Sequence, residues 1–194
     1  MKKSILSIAT ISLMCLHTSS FAKNISIGTI EIGGGSTLSI DSRETELENS
    51  FDEITVDTTV LSANALYYVR PNLGVGATFF YDSTEITEQQ TSKEVMTSTI
   101  GPMVSYNFSI NEQTGLKISG AFLKVSGDAP NNTDQSGFGW NAGSQLSYFL
   151  NDHVSINGSL KYYSYAYERE NVVSIDLEES GFNFGVGLSI YLHQ

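Results

Sequence analysis

The sequence predicts an all-β fold: eight antiparallel strands in up-and-down order, closed into a single barrel. Three observations carry this prediction. Apolar and polar residues alternate with period two over most of the chain, no segment sustains a helical period, and short turns alternate strictly with longer acidic segments.

The chain opens with Met1-Lys2-Lys3, continues through an apolar run from Ile5 to Leu16 and reaches Ser20-Phe21-Ala22. A charged start, an apolar stretch and a small-x-small end define a secretory leader over residues 1–22, with 23–194 as one mature domain. The apolar run is shorter than the roughly 20 residues a spanning helix needs. Cys15 raises the alternative of a lipoprotein, but Met14 stands where such processing sites carry a small residue. Cys15 is the single cysteine and leaves with the leader, so no disulfide framework holds the mature fold. The chain has 10 basic and 21 acidic residues, and losing Lys2 and Lys3 leaves 8 against 21, a formal charge of −13. Nucleic acid is excluded as a natural partner of so acidic a chain.

The first strand lies around Ile30 and Ile32. Ile25 and Ile27 are out of phase with them, which predicts a bulge or an unpaired lead-in near Gly28. Tyr67-Tyr68-Val69-Arg70-Pro71-Asn72 ends the second strand and turns into the third. Tyr106-Asn107-Phe108-Ser109-Ile110-Asn111 does the same for the fourth and fifth, and Tyr148-Phe149-Leu150-Asn151-Asp152 for the sixth and seventh. The three asparagines are 39 and 40 residues apart, which marks three copies of one strand–turn–strand unit. Asn and Pro suit such turns because one bonds its own backbone and the other presets φ. Between the units lie polar segments at roughly 42–53, 83–94, 127–136 and 168–178. Of the 21 acids, 18 fall in or beside them, between Asp41 and Asp57, Asp82 and Glu94, at Asp128 and Asp134, and between Glu168 and Glu179. Three short turns and four long loops make seven connections, hence eight strands with both ends at the short-turn side.

The faces of these strands decide what solvent they meet. In the last strand Phe182, Phe184, Val186, Leu188, Ile190 and Leu192 share one face, opposite Asn183, Gly185, Gly187, Ser189 and Tyr191. In the sixth, Phe138, Trp140, Ala142, Leu146 and Tyr148 oppose Gly139, Asn141, Gly143, Gln145 and Ser147, with Ser144 the one polar residue on the apolar side. A lipocalin-like barrel or a sandwich would present charged residues to water on its polar face. Here that face is mostly Gly, Ser, Thr and Asn, which suits the crowded lumen of eight strands, while the apolar face suits lipid. The barrel is therefore predicted to be transmembrane. Aromatics fall into two groups consistent with interfacial girdles: Tyr67, Tyr106, Phe108, Tyr148 and Tyr191 near the turns, and Phe79, Tyr81, Phe138, Trp140, Phe182 and Phe184 near the loops.

Three segments carry a family resemblance: Gly74-Val75-Gly76-Ala77, Ile100-Gly101-Pro102-Met103-Val104-Ser105-Tyr106, and Gly185-Val186-Gly187-Leu188-Ser189-Ile190-Tyr191-Leu192. Through them the whole mature chain resembles the small outer-membrane β-barrel domain family, which holds OmpA-, OmpX- and opacity-type porin-like barrels. The resemblance implies export through the periplasm to the bacterial outer membrane. It also implies a C-terminal signal for the barrel-assembly machinery, on Gly187, Ile190 and Leu192. The chain departs from the family pattern by ending in His193-Gln194 rather than an aromatic, which bears on the efficiency of assembly.

Little in the mature sequence suggests catalysis. Only His153 and His193 remain, both at the short-turn end, and no His or Cys cluster has metal-ligand spacing, so neither an enzyme, a metal site nor a cofactor is expected. Alternation points three charges into the lumen: Glu31, Lys117 and Lys161. Buried charges are stable only when paired, so they are expected to form a polar network, structural or gating, with Glu31 facing a lysine. Tyr163, Tyr165 and Tyr167 are expected to cap the interior near the fourth loop. The family resemblance implies a surface protein concerned with adhesion, host interaction or envelope stabilisation. Its partners would be outer-membrane lipid and lipopolysaccharide, and a host or surface ligand at the acidic loops. The alternative is a narrow channel or a conduit for small or apolar molecules, which needs a continuous lumen or a lateral opening.

Overall fold

The computed structural model describes residues 24–41, 54–88, 91–129, 133–169 and 175–193, all in strands, turns and short connections. Eight strands follow in order: β1 (Ile30–Asp41), β2 (Ile54–Arg70), β3 (Leu73–Glu88), β4 (Thr91–Ser109), β5 (Thr114–Ala129), β6 (Thr133–Phe149), β7 (Val154–Arg169) and β8 (Ile175–Leu192). Each pairs antiparallel with its sequence neighbours, and β1 pairs with β8 to close the barrel. Closure leaves no strand edge unpaired, a requirement wherever lipid replaces water as the neighbour of the backbone.

The three short turns share a chemical basis. Asn111 Oδ1 accepts a hydrogen bond from the Gln113 N–H at 2.9 Å, and Asn151 Oδ1 accepts one from the His153 N–H at 2.8 Å. Both are side-chain substitutes for a backbone turn bond. Asn72 instead takes the left-handed conformation itself, with φ of 65°, a region that asparagine tolerates better than most residues. Its side chain is then free to hold the N-terminal lead-in, accepting from Ile25 N–H at 2.9 Å.

That lead-in explains the phase break expected near Gly28. Gly28 has φ of 85°, so the chain turns there before β1 begins, and Gly28 N–H donates to the Tyr68 carbonyl at 3.0 Å. The turn carries Ile25 under the barrel mouth, where it is buried.

The strand faces follow the alternation. Val186, Phe138, Phe122, Ile100 and Leu188 project outward, Val186 with 72% of its surface exposed, an arrangement that only a lipid-facing wall explains. On β8 this apolar face runs from Phe182 to Leu192, and on β6 from Phe138 to Tyr148, close to the roughly 9–11 residues a tilted spanning strand needs. An outer aromatic belt links strands through Phe122–Phe138 at 5.9 Å, Trp140–Tyr162 at 5.5 Å and Tyr162–Phe182 at 5.1 Å. Tyr67, Tyr106 and Tyr148 face outward at the turn end, and Tyr106 packs edge-on against Phe108 at 4.8 Å. Tyr191 departs from the girdle expected there. It is 1% exposed and points into the lumen, because it shares the parity of Ser189 and Asn183 rather than of Ile190.

A second departure concerns the acidic segments. β3 continues to Glu88 and β4 starts at Thr91; β5 runs to Ala129 and β6 starts at Thr133; β7 runs to Arg169 and β8 starts at Ile175. Much of the sequence expected as long loops at 83–94, 127–136 and 168–178 is therefore paired strand. Beyond the bilayer a hairpin still satisfies its backbone by pairing, and Thr84, Ile86, Thr87, Thr91, Val95 and Thr97 have the branched side chains strands favour. The first acidic segment, 42–53, and the expected leader, 1–22, lie outside the described residues.

Candidate functional site in the barrel interior

At the turn end of the lumen, Ile25, Leu66, Tyr68, Phe149 and Tyr191 form a buried apolar cluster, with the Phe149 and Tyr191 rings 5.3 Å apart. Further toward the outer mouth, Phe80, Ala121 and Leu123 form a second cluster, packed by Tyr165. Met103 of β4 packs against both. The interior is thus crossed by two side-chain layers, as expected where eight strands leave an interior just wide enough for side chains.

A polar network adjoins the inner layer. Lys117 on β5 forms an ion pair and hydrogen bond with Glu31 on β1, the strand diametrically opposite in the barrel order. Both side chains are almost wholly buried. The remaining capacity of the Glu31 carboxylate is filled by Tyr68 Oη, donating to Oε2 at 2.6 Å, and Ser189 Oγ, donating to Oε1 at 3.0 Å. Each donor is itself held: Asn107 Nδ2 donates to Tyr68 Oη at 2.7 Å, and Asn157 Nδ2 to Ser189 Oγ at 2.8 Å. Ser155 Oγ donates in turn to Asn157 Oδ1 at 2.8 Å. Six of the eight strands, β1, β2, β4, β5, β7 and β8, contribute to one connected set. A buried ion pair gains when its spare lone pairs are also used, and Tyr68 and Ser189 use those of Glu31.

Lys161, the third charge that alternation directs inward, stands apart from this pair. Its Nζ lies 4.7 Å from the centroid of the Phe80 ring, a cation–π contact, and among the described residues it has no hydrogen-bonding or ion-pair partner. Gly143 on β6 makes room for it: a Cβ there would sit 2.6 Å from Lys161 Cγ. Tyr163 is buried and stacks on Tyr165 at 4.9 Å, both inside the barrel. The side chain of Tyr167 lies outside the described residues. Gly187 sits at the closing seam of β1 and β8, facing Gly35, while Ile190 and Leu192 project toward lipid.

The sequence reading missed the apolar half of the lumen. Leu66, Tyr68, Phe80, Leu123, Val125 and Phe149 all point inward. The available signal was in β2 and β5, where Ala65-Leu66-Tyr67-Tyr68 and Ala121-Phe122-Leu123 are apolar on both faces. Double-sided apolarity in a membrane barrel strand marks a place where lumen side chains pack on one another.

The wall is interrupted once in the ladder between β4 and β5. Pairing runs to Ile100↔Lys124 and resumes at Met103↔Ala121, omitting Gly101 and Pro102. Pro102 has no N–H to give the opposing strand. Gly101 lets that strand come close, since a Cβ there would lie 1.8 Å from the Phe122 carbonyl oxygen. On the lipid side, a groove of about 460 Å³ lies over this break, lined by Val75, Gly76, Pro102, Met103 and Phe122 among others. A second, of about 340 Å³, shares Val104 and Gly120 with it.

The two histidines meet at the turn-end rim, their rings 5.5 Å apart. His153 Nδ1 contacts the Tyr191 carbonyl at 3.0 Å, and His193 bonds Thr29 Oγ1 at 3.0 Å and the Asp152 carbonyl at 3.2 Å. No group of three or more metal-ligating side chains occurs among the described residues.

A closed antiparallel barrel with a lipid-facing apolar band, aromatic belts and a filled polar–apolar lumen is a transmembrane β-barrel of the bacterial outer-membrane class. Residues 8–189 match the family described as "Outer membrane protein beta-barrel domain", and the chain belongs to that family. Its place is the bacterial outer membrane, in contact with its lipids. No curated protein matches it by sequence. Among solved structures it is similar to the outer membrane protein OprG of Pseudomonas aeruginosa, with a TM-score of 0.59 and 12% identity, covering 87% of this chain and 98% of that one. It is also similar to AlkL, determined in lipid bilayers, with a TM-score of 0.58, 15% identity and coverage of 92% and 96%. The outer membrane protein W of E. coli aligns with a TM-score of 0.55 at 12% identity, over 86% and 99%. At these identities the likeness is one of fold.

Proposed function

We propose that the protein is a non-enzymatic outer-membrane scaffold that presents its extracellular side for adhesion, host contact or envelope stabilisation. The observation that supports this reading best is the closure of the lumen by two side-chain layers with a buried ion pair beside the inner one. Water-filled conduction along the axis would require removing both layers. The strands carry the chain well past the apolar band on the outer side, as β8 does from Phe182 back to Ile175, and so hold the acidic segments clear of the membrane. Those segments would bind divalent cations that also bridge lipopolysaccharide phosphates, or a basic surface partner. Residues 1–22 would serve as the export leader, and Gly187, Ile190 and Leu192 as the contact for the assembly machinery. At the rim, His193 spends both ring nitrogens and His153 its Nδ1 on structural bonds.

The test is planar-bilayer conductance of the refolded mature chain, together with adhesion and serum survival of cells whose acidic segments are shortened. The scaffold reading expects no discrete conductance steps and a loss of adhesion or survival. Steady single-channel steps with unchanged adhesion would sink it.

A second reading is favoured by one observation, the ladder break at Gly101-Pro102 beneath the lipid-side grooves. An apolar molecule would leave or enter through the wall there, rather than along the axis. Pro102→Thr supplies the missing N–H, and this reading expects it to slow uptake of an apolar substrate by whole cells. Uptake by Pro102→Thr equal to that with the unaltered protein, or uptake with the unaltered protein no greater than in cells lacking it, would count against the conduit.

A further inference from the structure

Between the two plug layers lies a small polar cavity of about 20 Å³. By this measure a cavity holds one water once it reaches roughly 10–15 Å³, so the space takes one occupant of about that size. Its polar lining is Ser62, Asn64, Gln145, Asn157, Ser159 and Lys161, together with Ser189 and seam glycines, and it includes no carboxylate.

Two of these side chains have unmet bonding capacity. Lys161 Nζ is covered on one side by the Phe80 ring and has no hydrogen-bonding or ion-pair partner among the described residues. Asn64 Nδ2 is fully buried and bonded to nothing. The Asn64 amide lies against Gly33, where a Cβ would come within 2.7 Å of Oδ1, so the glycine makes space for it at the cavity wall. Among the other lining groups, Ser62 donates to the Gly35 carbonyl, Gln145 to Ser147 and Asn157 to Ser189.

Glu31 and Lys117 neutralise each other, while Lys161 faces Gly143 and Asn183 with no acid at its own height. Asp82 and Glu179 take inward-facing positions nearer the outer mouth and do not line the cavity. Lys161 is half-buried, and an ammonium partly withdrawn from water with no carboxylate beside it favours an anion, since a ring face compensates only in part. A water would satisfy one N–H but leave the charge.

We propose that this cavity is a binding site for a single small monovalent anion of halide type, held by the Lys161 ammonium and the Asn64 amide. The size excludes tetrahedral oxyanions such as phosphate and sulfate. The inner layer lies on one side of the ion and Phe80, Leu123 and Tyr165 on the other, so it supplies a counter-charge between the two plug layers.

The test refolds the full mature chain in sodium chloride, sodium bromide or sodium gluconate at equal ionic strength. Thermal unfolding is read from the heat-modifiable gel band, and crystals grown in bromide are examined for anomalous scattering. The expected result is a midpoint several degrees higher in either halide than in gluconate, with a bromide peak beside Lys161 Nζ. Lys161→Met should keep the folded band and lose both the halide dependence and the peak. If the methionine variant does not refold, Asn64→Ser should weaken the halide shift while keeping a polar wall. Equal midpoints in halide and gluconate with no bromide peak would overturn the site, as would a halide shift that persists unchanged in Lys161→Met.

Discussion

Lys117 and Lys161 share one lumen, come from strands two apart, and live in opposite circumstances. Lys117 meets a carboxylate that also accepts from Tyr68 and Ser189, themselves braced by Asn107 and Asn157. Lys161 meets a phenyl ring and a cavity. The difference shows that pointing inward does not by itself recruit a residue to a network. Membership depends on which opposite strand presents a counter-charge at the same height. Glu31 sits near the start of β1, level with the end of β8, and Lys117 reaches it from across the barrel. Lys161 lies further along its strand, opposite Gly143 and Asn183, where no acid faces it.

The contrast is broken most severely by removing one member of the pair. Lys117→Met leaves the Glu31 carboxylate buried without its cation, and is expected to lower stability by about 3–5 kcal/mol. Urea unfolding in detergent, followed by the gel shift, measures it. Replacing both Glu31 and Lys117 by leucine should recover most of that loss, because the desolvation cost of both charges disappears with them. A double variant as unstable as the single one would mean that the pair does not act as a unit.

A comparable effect of different origin is expected from the inner layer. Leu66→Ala opens a cavity among Tyr68, Phe149 and Tyr191 and should cost about 2–5 kcal/mol in the same assay. Gly187→Val at the closing seam is expected to cost about 1–3 kcal/mol, since a Cβ would fall 2.4 Å from the Gly34 carbonyl oxygen. If the seam tolerated valine, β1 and β8 would pair less closely than described. At the small end, Lys161→Met in gluconate should shift stability by less than about 1 kcal/mol, because it removes a charge with no protein partner and leaves an apolar stem against Phe80. A loss there as large as that of Lys117→Met would erase the distinction between the two lysines.

The legibility of the chain differed from strand to strand. β6 and β8 were readable at once, since Phe138 through Tyr148 and Phe182 through Leu192 alternate cleanly between lipid and lumen. β2 and β5 were not, because residues such as Leu66 and Leu123 are apolar on a face that the clean strands show as polar, and parity alone does not say what fills a lumen. The turn asparagines were legible because their bonds are local, two residues apart at Asn111 and Asn151. The outer ends of the strands were misread as loops. Acidic residues there resemble loop composition, while the pairing that keeps them extended comes from the neighbouring strand.

By itself, then, the sequence determined the number of strands, their order, the side of each that meets lipid and the inward direction of Glu31, Lys117 and Lys161. All of these follow from a period of two and from turn chemistry, which act within a few residues. Only the tertiary structure decided which charges meet, where the two plug layers fall, that Tyr191 joins the inner one, and that Pro102 leaves a gap in the wall. These depend on the stagger between strands distant in sequence, which sets the height of each side chain in the barrel and has no local signature.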